Sequence, residues 1–194
     1  MSNVDPSKLT PGVFGVSHGS GVAGELIRHA TASWAGHAFL YLGNGMLVQG
    51  QPPVAALAPA GSHDDAIWAW RMWDALKAEH GWDDATLKAM QDKVVGRGHA
   101  LVGVSYDFEA YAAFALEVLK LRSEVQLEDW FRRDTYRVCS ALVADALMFG
   151  GVPLEFVPSD GPGLTNDPDK KAVMPPNLVA PGMMLGLAQR KEWV

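Results

Sequence analysis

The sequence is poor in cysteine and has fewer basic than acidic residues. Its 194 residues include one cysteine, Cys139, which excludes an intrachain disulfide framework and every zinc or iron–sulfur site built from several cysteines. Lysine and arginine together number 16, against 22 aspartate and glutamate residues, for a formal net charge of −6. Because a net negative protein repels the phosphate backbone, the charge balance argues against nucleic acid as a partner.

Targeting and membrane signals are also missing from the sequence. The first ten residues, which include Asp5 and Lys8, lack the basic and apolar regions of a secretory signal. We therefore expect a cytoplasmic location, with association with a phage or release by lysis left open. Residues 30–63 contain no Asp, Glu, Lys or Arg, but the turn Gly43-Asn44-Gly45 interrupts the run. The pattern predicts buried strands there and no membrane span.

Signatures of metal and phosphate binding are absent as well. The histidines at positions 18, 63, 80 and 99 show no His-x-x-x-His spacing, and the single cysteine offers little help as a ligand. No Gly-Lys-Ser/Thr follows the glycines of residues 12–24, so they do not form a phosphate loop. The sequence therefore predicts neither a metal nor another cofactor.

Length and patterning predict one α+β domain over residues 1–194. Strands are predicted at 37–42, 46–48, 54–58 and 66–72, the last with Trp68 and Trp70 on one face, and a final strand at 183–188. Helices are predicted at 22–32, 75–80 before Gly81, 84–95 before Gly96, 108–121, 127–132 and 139–149, with a Pro-rich tail or flap at about 158–181. We expect an antiparallel sheet packed against the helix that begins at Cys139 and the helices between residues 75 and 132.

Cys139 has two interpretations at the start of its predicted helix. Unpaired backbone N–H groups and the helix dipole favour an anion there, so a thiolate nucleophile with a lowered pKa is one of them. Leu142, Val143 and Ala146 share a helix face with Cys139, so simple packing in the core is the other.

His37 and Gln49 are further candidate site residues, and they form a pair. The tight turn at Gly43-Asn44-Gly45 predicts a hairpin, which brings His37 at the start of one strand towards Gln49 near the end of the next. A glutamine can accept a hydrogen bond from an imidazole and orient it, as the third group of a catalytic triad does. The alternatives are a satisfied core histidine and a solvated strand end.

Several stretches resemble a known family in their order and spacing. They are Gly24-Glu25-Leu26-Ile27-Arg28, Trp34-Ala35-Gly36-His37-Ala38, Tyr106-Asp107-Phe108 and Val138-Cys139-Ser140-Ala141-Leu142-Val143. Together they resemble the circularly permuted NlpC-type papain-like cysteine hydrolases, the YiiX/YebB-type branch, in which His precedes Cys. The resemblance covers residues 12–150 and implies a permuted papain-like fold.

The resemblance also implies roles for four residues. Cys139 would be the nucleophile, His37 the general base and Gln49 the group that orients the histidine. The family position that matches Gln49 is often acidic or otherwise polar, and an amide, unlike a carboxylate, cannot stabilise an imidazolium by charge. Tyr106 matches a tyrosine that polarises the substrate carbonyl, although an aromatic anchor before a helix is an equal alternative.

The activity implied by the resemblance is hydrolysis of an amide bond, in a cell-wall peptide or another N-acyl substrate, through a thioester acyl-enzyme and without a cofactor. A thioesterase or acyltransferase for lipid-like acyl groups, as in the lecithin:retinol acyltransferase branch, is an alternative. Another is a non-catalytic binding or structural module of the same fold. Trp34 and Trp130 are candidates for lining a groove for an apolar or sugar-bearing substrate.

Overall fold

The computed structural model describes residues 5, 8–31, 33–51, 53–105, 139–156 and 179–194. Tyr106, Trp130, the helices predicted at 108–121 and 127–132, and residues 158–178 of the Pro-rich tail lie outside these ranges. Within them no helix is both long and apolar enough to cross a membrane.

Strands of the described residues form one antiparallel sheet in the order β4-β3-β2-β1-β5. Helices pack against this sheet, which confirms the predicted α+β class. The strands are β1 (Phe14–Ser17), β2 (His37–Gly43), β3 (Met46–Gln51), β4 (Val54–Pro59) and β5 (Ile67–Trp68). The patterning did not predict β1, because its four residues are all buried and show no alternation.

The hairpin of β2 and β3 is confirmed. Asn44 and Gly45 adopt positive φ angles of 53° and 71°, which is the geometry of a tight hairpin turn. The predicted strand at 66–72 is shorter than expected, because a helix begins at Met72. Trp68 is 4% exposed and Trp70 is 43% exposed, so the prediction that they share one face is wrong: the strand ends at Trp68.

Five helices are described: α1 (Gly21–Thr31), α2 (Met72–His80), α3 (Asp84–Ala100), α4 (Cys139–Phe149) and α5 (Pro181–Arg190). The predicted helices at 22–32 and 139–149 match α1 and α4. The helix predicted at 75–80 begins earlier, at Met72, but ends at His80 before Gly81, whose φ is 67° as expected. The predicted final strand is wrong, because residues 183–188 belong to α5. A short buried apolar run has the same pattern in a strand and in a helix.

The predicted end of α3 at Gly96 is also wrong. The helix continues to Ala100, and Gly96 lies inside it with open space where a Cβ atom would be. A Cβ atom at Gly98 would lie 2.6 Å from Leu42 and 2.8 Å from Leu40. Gly98 therefore lets α3 approach the face of β2.

The core lies between the sheet and α4, as predicted for the helix that begins at Cys139. This helix packs on β2, β3 and α3, and eight of its residues are buried. Nε of Arg97 on α3 lies 2.7 Å from the carboxylate of Asp145 on α4. The hydroxyl of Ser140 donates to the carbonyl oxygen of Val179, which ties the start of α4 to the segment before α5.

Candidate functional site

A cleft of about 580 Å³ lies where the start of α4 meets one end of the sheet. Three of the four predicted site residues, Cys139, His37 and Gln49, line it, whereas Tyr106 is outside the described residues. The other described residues of the lining are Ser17, His18, Gly19, Ser20, Gly24, Ile27, Gly36, Gly50, Gln51, Ser62, His63, Asp64 and Asp65.

Gln49 joins two histidines through its side-chain oxygen. This oxygen lies 2.9 Å from Nε2 of His37 and 2.8 Å from Nε2 of His63. Because an amide oxygen only accepts hydrogen bonds, Nε2 is the protonated nitrogen of each ring, and Nδ1 is left as the proton acceptor of the neutral form. The amide nitrogen of Gln49 donates to Gln51 over 3.3 Å. Gln49 is only 6% exposed, so it is not a solvated strand end.

His63 is a site residue that the sequence reasoning did not bring to this cluster. It follows the 3₁₀ turn at Ala60–Ser62, and its ring stacks on Phe39 with centroids 4.3 Å apart and planes inclined by 8°. Its centroid lies 5.4 Å from that of His37. The sequence shows only a histidine followed by Asp64 and Asp65. It does not show that the loop containing His63 folds back against β2, because the two segments are distant in sequence.

Burial keeps both imidazoles in their basic form. Burial lowers the pKa of His37, against the opposing effects of the Gln49 hydrogen bond and the negative charge of Asp65. Burial and the nearby charge of His37 lower the pKa of His63, against Asp65 and Asp64. Two neutral rings therefore face the cleft near neutral pH.

The pKa of the Cys139 thiol is raised, whereas the interpretation as a thiolate nucleophile expects it to be lowered. Its residue is 1% exposed, and burial raises the pKa of the thiol to about 11. The backbone amides of Ala38, Ser140 and Cys139 itself act in the opposite direction but are outweighed. The resting group is a thiol rather than a thiolate, because the helix start does not compensate for desolvation. The interaction with Ala38 places the sulfur beside the residue that follows His37.

One wall of the cleft is the loop between β1 and α1, and close contacts fix it. Arg28 donates from Nη1 to the carbonyl oxygen of His18 over 2.7 Å, and the amide of His18 donates to Asp65 over 2.8 Å. A Cβ atom at Gly36 would lie 2.4 Å from the same carbonyl oxygen, so only glycine fits there. Trp34 lies beside this wall, with its ring centroid 5.8 Å from that of His18, but it is not part of the described lining.

No cluster of three or more potential metal ligands occurs among the residues that the structure describes. Comparison of the chain with protein-family models, with curated protein sequences and with solved structures gave no match. The function of the site is therefore inferred from its own residues: a buried thiol, two neutral imidazoles and the amide that binds both.

Proposed function

We propose that the protein is a cysteine hydrolase that cleaves an amide bond by acyl transfer through Cys139. One observation carries the proposal: a single cleft is lined by the thiol of Cys139 and by His37, whose Nε2 is held by Gln49. This hydrogen bond selects the tautomer in which Nδ1 can take a proton. A nucleophile, a base and a group that orients the base are the three parts that covalent catalysis requires.

The reaction follows from these groups. His37 accepts the thiol proton while the sulfur of Cys139 attacks the substrate carbonyl carbon, and the carbonyl electrons move to oxygen. The backbone N–H of Cys139, at the start of α4, is available to donate to that oxyanion. The C–N bond then breaks, and the leaving amine takes the proton from His37. Water hydrolyses the thioester in the second half, which releases the acid and restores the thiol.

The resting state of this site is a neutral pair. Burial raises the pKa of the thiol to about 11 and lowers the pKa of His37, so charge separation is unfavourable in the empty cleft. The proton therefore moves during attack on the substrate rather than before it. Such a site reacts slowly with general thiol reagents and faster with an acyl compound that fits the cleft.

The cleft lining supports a polar substrate. Ile27 is the one aliphatic side chain among the described lining residues, which otherwise carry hydroxyl, amide, imidazole, carboxylate or thiol groups or are glycines. These groups offer hydrogen bonds to a peptide or another polar compound, and an acyl chain cannot use them. We therefore favour a peptide or another polar N-acyl compound over the thioesterase or acyltransferase alternative. A cell-wall peptide is the substrate that the family resemblance implies.

Acylation by p-nitrophenyl acetate tests the proposal. The parent protein is expected to release p-nitrophenolate in a burst and to carry an acetyl group on Cys139, detected by mass spectrometry of the peptides. Cys139→Ser and His37→Ala should lose the burst while circular dichroism shows an intact fold. His99→Ala, at an exposed position near the end of α3, is the matched control and should react as the parent does.

The opposite outcome identifies a different class of protein. A folded parent that neither forms the acyl-enzyme nor hydrolyses a panel of N-acyl peptides is not a hydrolase of this kind. The fold would then serve as a binding or structural module.

A further inference from the structure

The hydroxyl of Ser17, the last residue of β1, is buried. Its exposure is 0%, and its Oγ has no hydrogen-bond partner among the described residues. Native proteins satisfy most buried polar side chains, because an unbonded hydroxyl loses its hydration without recovering a hydrogen bond. An alanine at this position would avoid that cost, so the hydroxyl calls for an explanation.

The strand pairing places Ser17 beside His37, the proposed base. Ser17 lies directly opposite His37 in the pairing of β1 with β2, and residues that face each other across antiparallel strands project to the same side of the sheet. Both residues line the cleft together with Cys139. Ser17 is therefore a residue of the cleft wall and does not belong to a separate part of the core.

We propose that the Ser17 hydroxyl donates a hydrogen bond to the carbonyl oxygen of the acyl group bound in the cleft, an inference that rests on the proposed function. When sulfur bonds to the carbonyl carbon, the C=O electron pair moves to this oxygen. A hydrogen bond to the resulting oxyanion is stronger than one to the neutral carbonyl. Ser17 thereby adds a side-chain donor to the backbone N–H of Cys139.

The position of Ser17 suits a donor of this kind. β1 is hydrogen-bonded to strands on both sides, so the serine backbone has a fixed position. The carbonyl oxygen of Ser17 accepts from the amide of Gly36 over 2.9 Å, which anchors the strand end itself. Rotation about the side-chain bond leaves the hydroxyl able to follow the substrate oxygen as the carbonyl carbon becomes tetrahedral.

Two reagents distinguish a hydrogen bond from Ser17 to the substrate carbonyl from a general effect of Ser17 on the reactivity of the Cys139 thiol. p-Nitrophenyl acetate presents a carbonyl oxygen, and its attack forms the C–S bond and expels p-nitrophenolate. 2,2′-Dithiodipyridine reacts with the same sulfur by disulfide exchange and presents no carbonyl. The variant is Ser17→Ala, and the control is Thr10→Val, which removes an exposed hydroxyl outside the cleft.

Ser17→Ala is expected to lower the second-order rate constant of acylation by about tenfold to a hundredfold, as loss of one hydrogen bond to a charged group does. Its disulfide exchange should stay within about twofold of the parent, since that reaction builds no oxyanion. The melting temperature should be equal to that of the parent or higher, because the substitution breaks no hydrogen bond. Thr10→Val should match the parent in all three measurements.

Each contrary result is decisive. Equal acylation of Ser17→Ala and the parent overturns the inference about Ser17 and leaves the hydrolase intact. Loss of stability or of folding in Ser17→Ala overturns it in favour of a structural hydrogen bond, for example through a buried water. A parent without Cys139-dependent acylation overturns both the inference and the proposed function.

Discussion

The side-chain oxygen of Gln49 accepts a hydrogen bond from Nε2 of His37 over 2.9 Å. This contact fixes the ring and its tautomer without placing a negative charge beside it. A carboxylate in the same position would also fix the ring, but its negative charge would in addition stabilise the imidazolium. The neutral acceptor is consistent with a base that stays unprotonated until a substrate arrives.

Exchange of this amide for a carboxylate should change the protonation of both histidines. We expect Gln49→Glu to raise the pKa of His37 and of His63 above their values in the parent, because an anion within hydrogen-bonding distance favours each charged ring. The measurement is an NMR titration of the ring C–H signals. Gln49→Leu, which removes the acceptor and adds no charge, is the control and should not raise either pKa. Unchanged titration curves in Gln49→Glu would show that the contact is absent in solution.

His63 should support the site through Gln49 rather than through its aromatic ring. His63→Phe preserves the stack on Phe39 but loses the N–H donor, whereas His63→Gln preserves a donor and loses the ring. We expect His63→Phe to lower the acylation rate constant by roughly fivefold to tenfold, in keeping with one hydrogen bond of about 1 kcal/mol, and His63→Gln to retain most of the activity. The reverse order of the two variants would assign His63 a packing role.

The reactivity of Cys139 should depend on pH in the manner of a buried thiol. Because burial raises the pKa of the thiol to about 11, the thiolate fraction grows throughout the neutral and alkaline range. The rate of alkylation by iodoacetamide should therefore keep rising above pH 9, without a plateau near neutrality. The rate is measured by quenching the alkylation at intervals and determining the modified fraction of Cys139 by mass spectrometry. A plateau reached below about pH 7 would contradict the neutral resting pair and indicate a preformed thiolate.

The folded state should lose stability on acidification. His37 and His63 have lowered pKa values in the fold, so the unfolded chain binds more protons than the native chain once the pH falls below about 6.5. The free energy of unfolding should consequently decrease from pH 7.5 to pH 5, as urea denaturation would measure. In the double variant His37→Asn/His63→Gln this decrease should be smaller. An equal decrease in the variant would assign the acid sensitivity to other groups.

The part of the site that is local in sequence could be predicted, and the part that depends on chain crossings could not. The turn at Asn44 and Gly45 sets the register in which Phe39 faces Gln49, so His37 and Gln49 were expected to be neighbours. His63 reaches the same amide from beyond β4, along a loop whose course no periodicity encodes. Ser17 was missed for a related reason: β1 is too short and too uniformly buried to show a strand pattern.

Cys139 shows the limit of reasoning from a helix position. The sequence predicted correctly that Cys139 begins a helix and lies on the apolar face of that helix. It does not reveal whether the helix start or burial has the larger effect on the thiol pKa. That balance depends on how completely other elements cover the helix start. In the structure Cys139 is almost completely buried, and desolvation raises the thiol pKa by more than the backbone amides lower it.

Two glycines of α3 should respond in opposite ways to the same substitution. Gly96 has open space where a Cβ atom would be, whereas a Cβ atom at Gly98 would lie 2.6 Å from Leu42. Gly96→Ala should raise the free energy of unfolding by about 0.5–1 kcal/mol, since alanine favours the helix. Gly98→Ala should lower it by about 1–3 kcal/mol, because the buried side chains of Leu40 and Leu42, or α3 itself, must shift to make room. Urea denaturation of both variants measures the difference. Equal stabilisation by the two alanines would mean that α3 does not pack this closely against the sheet that supports His37.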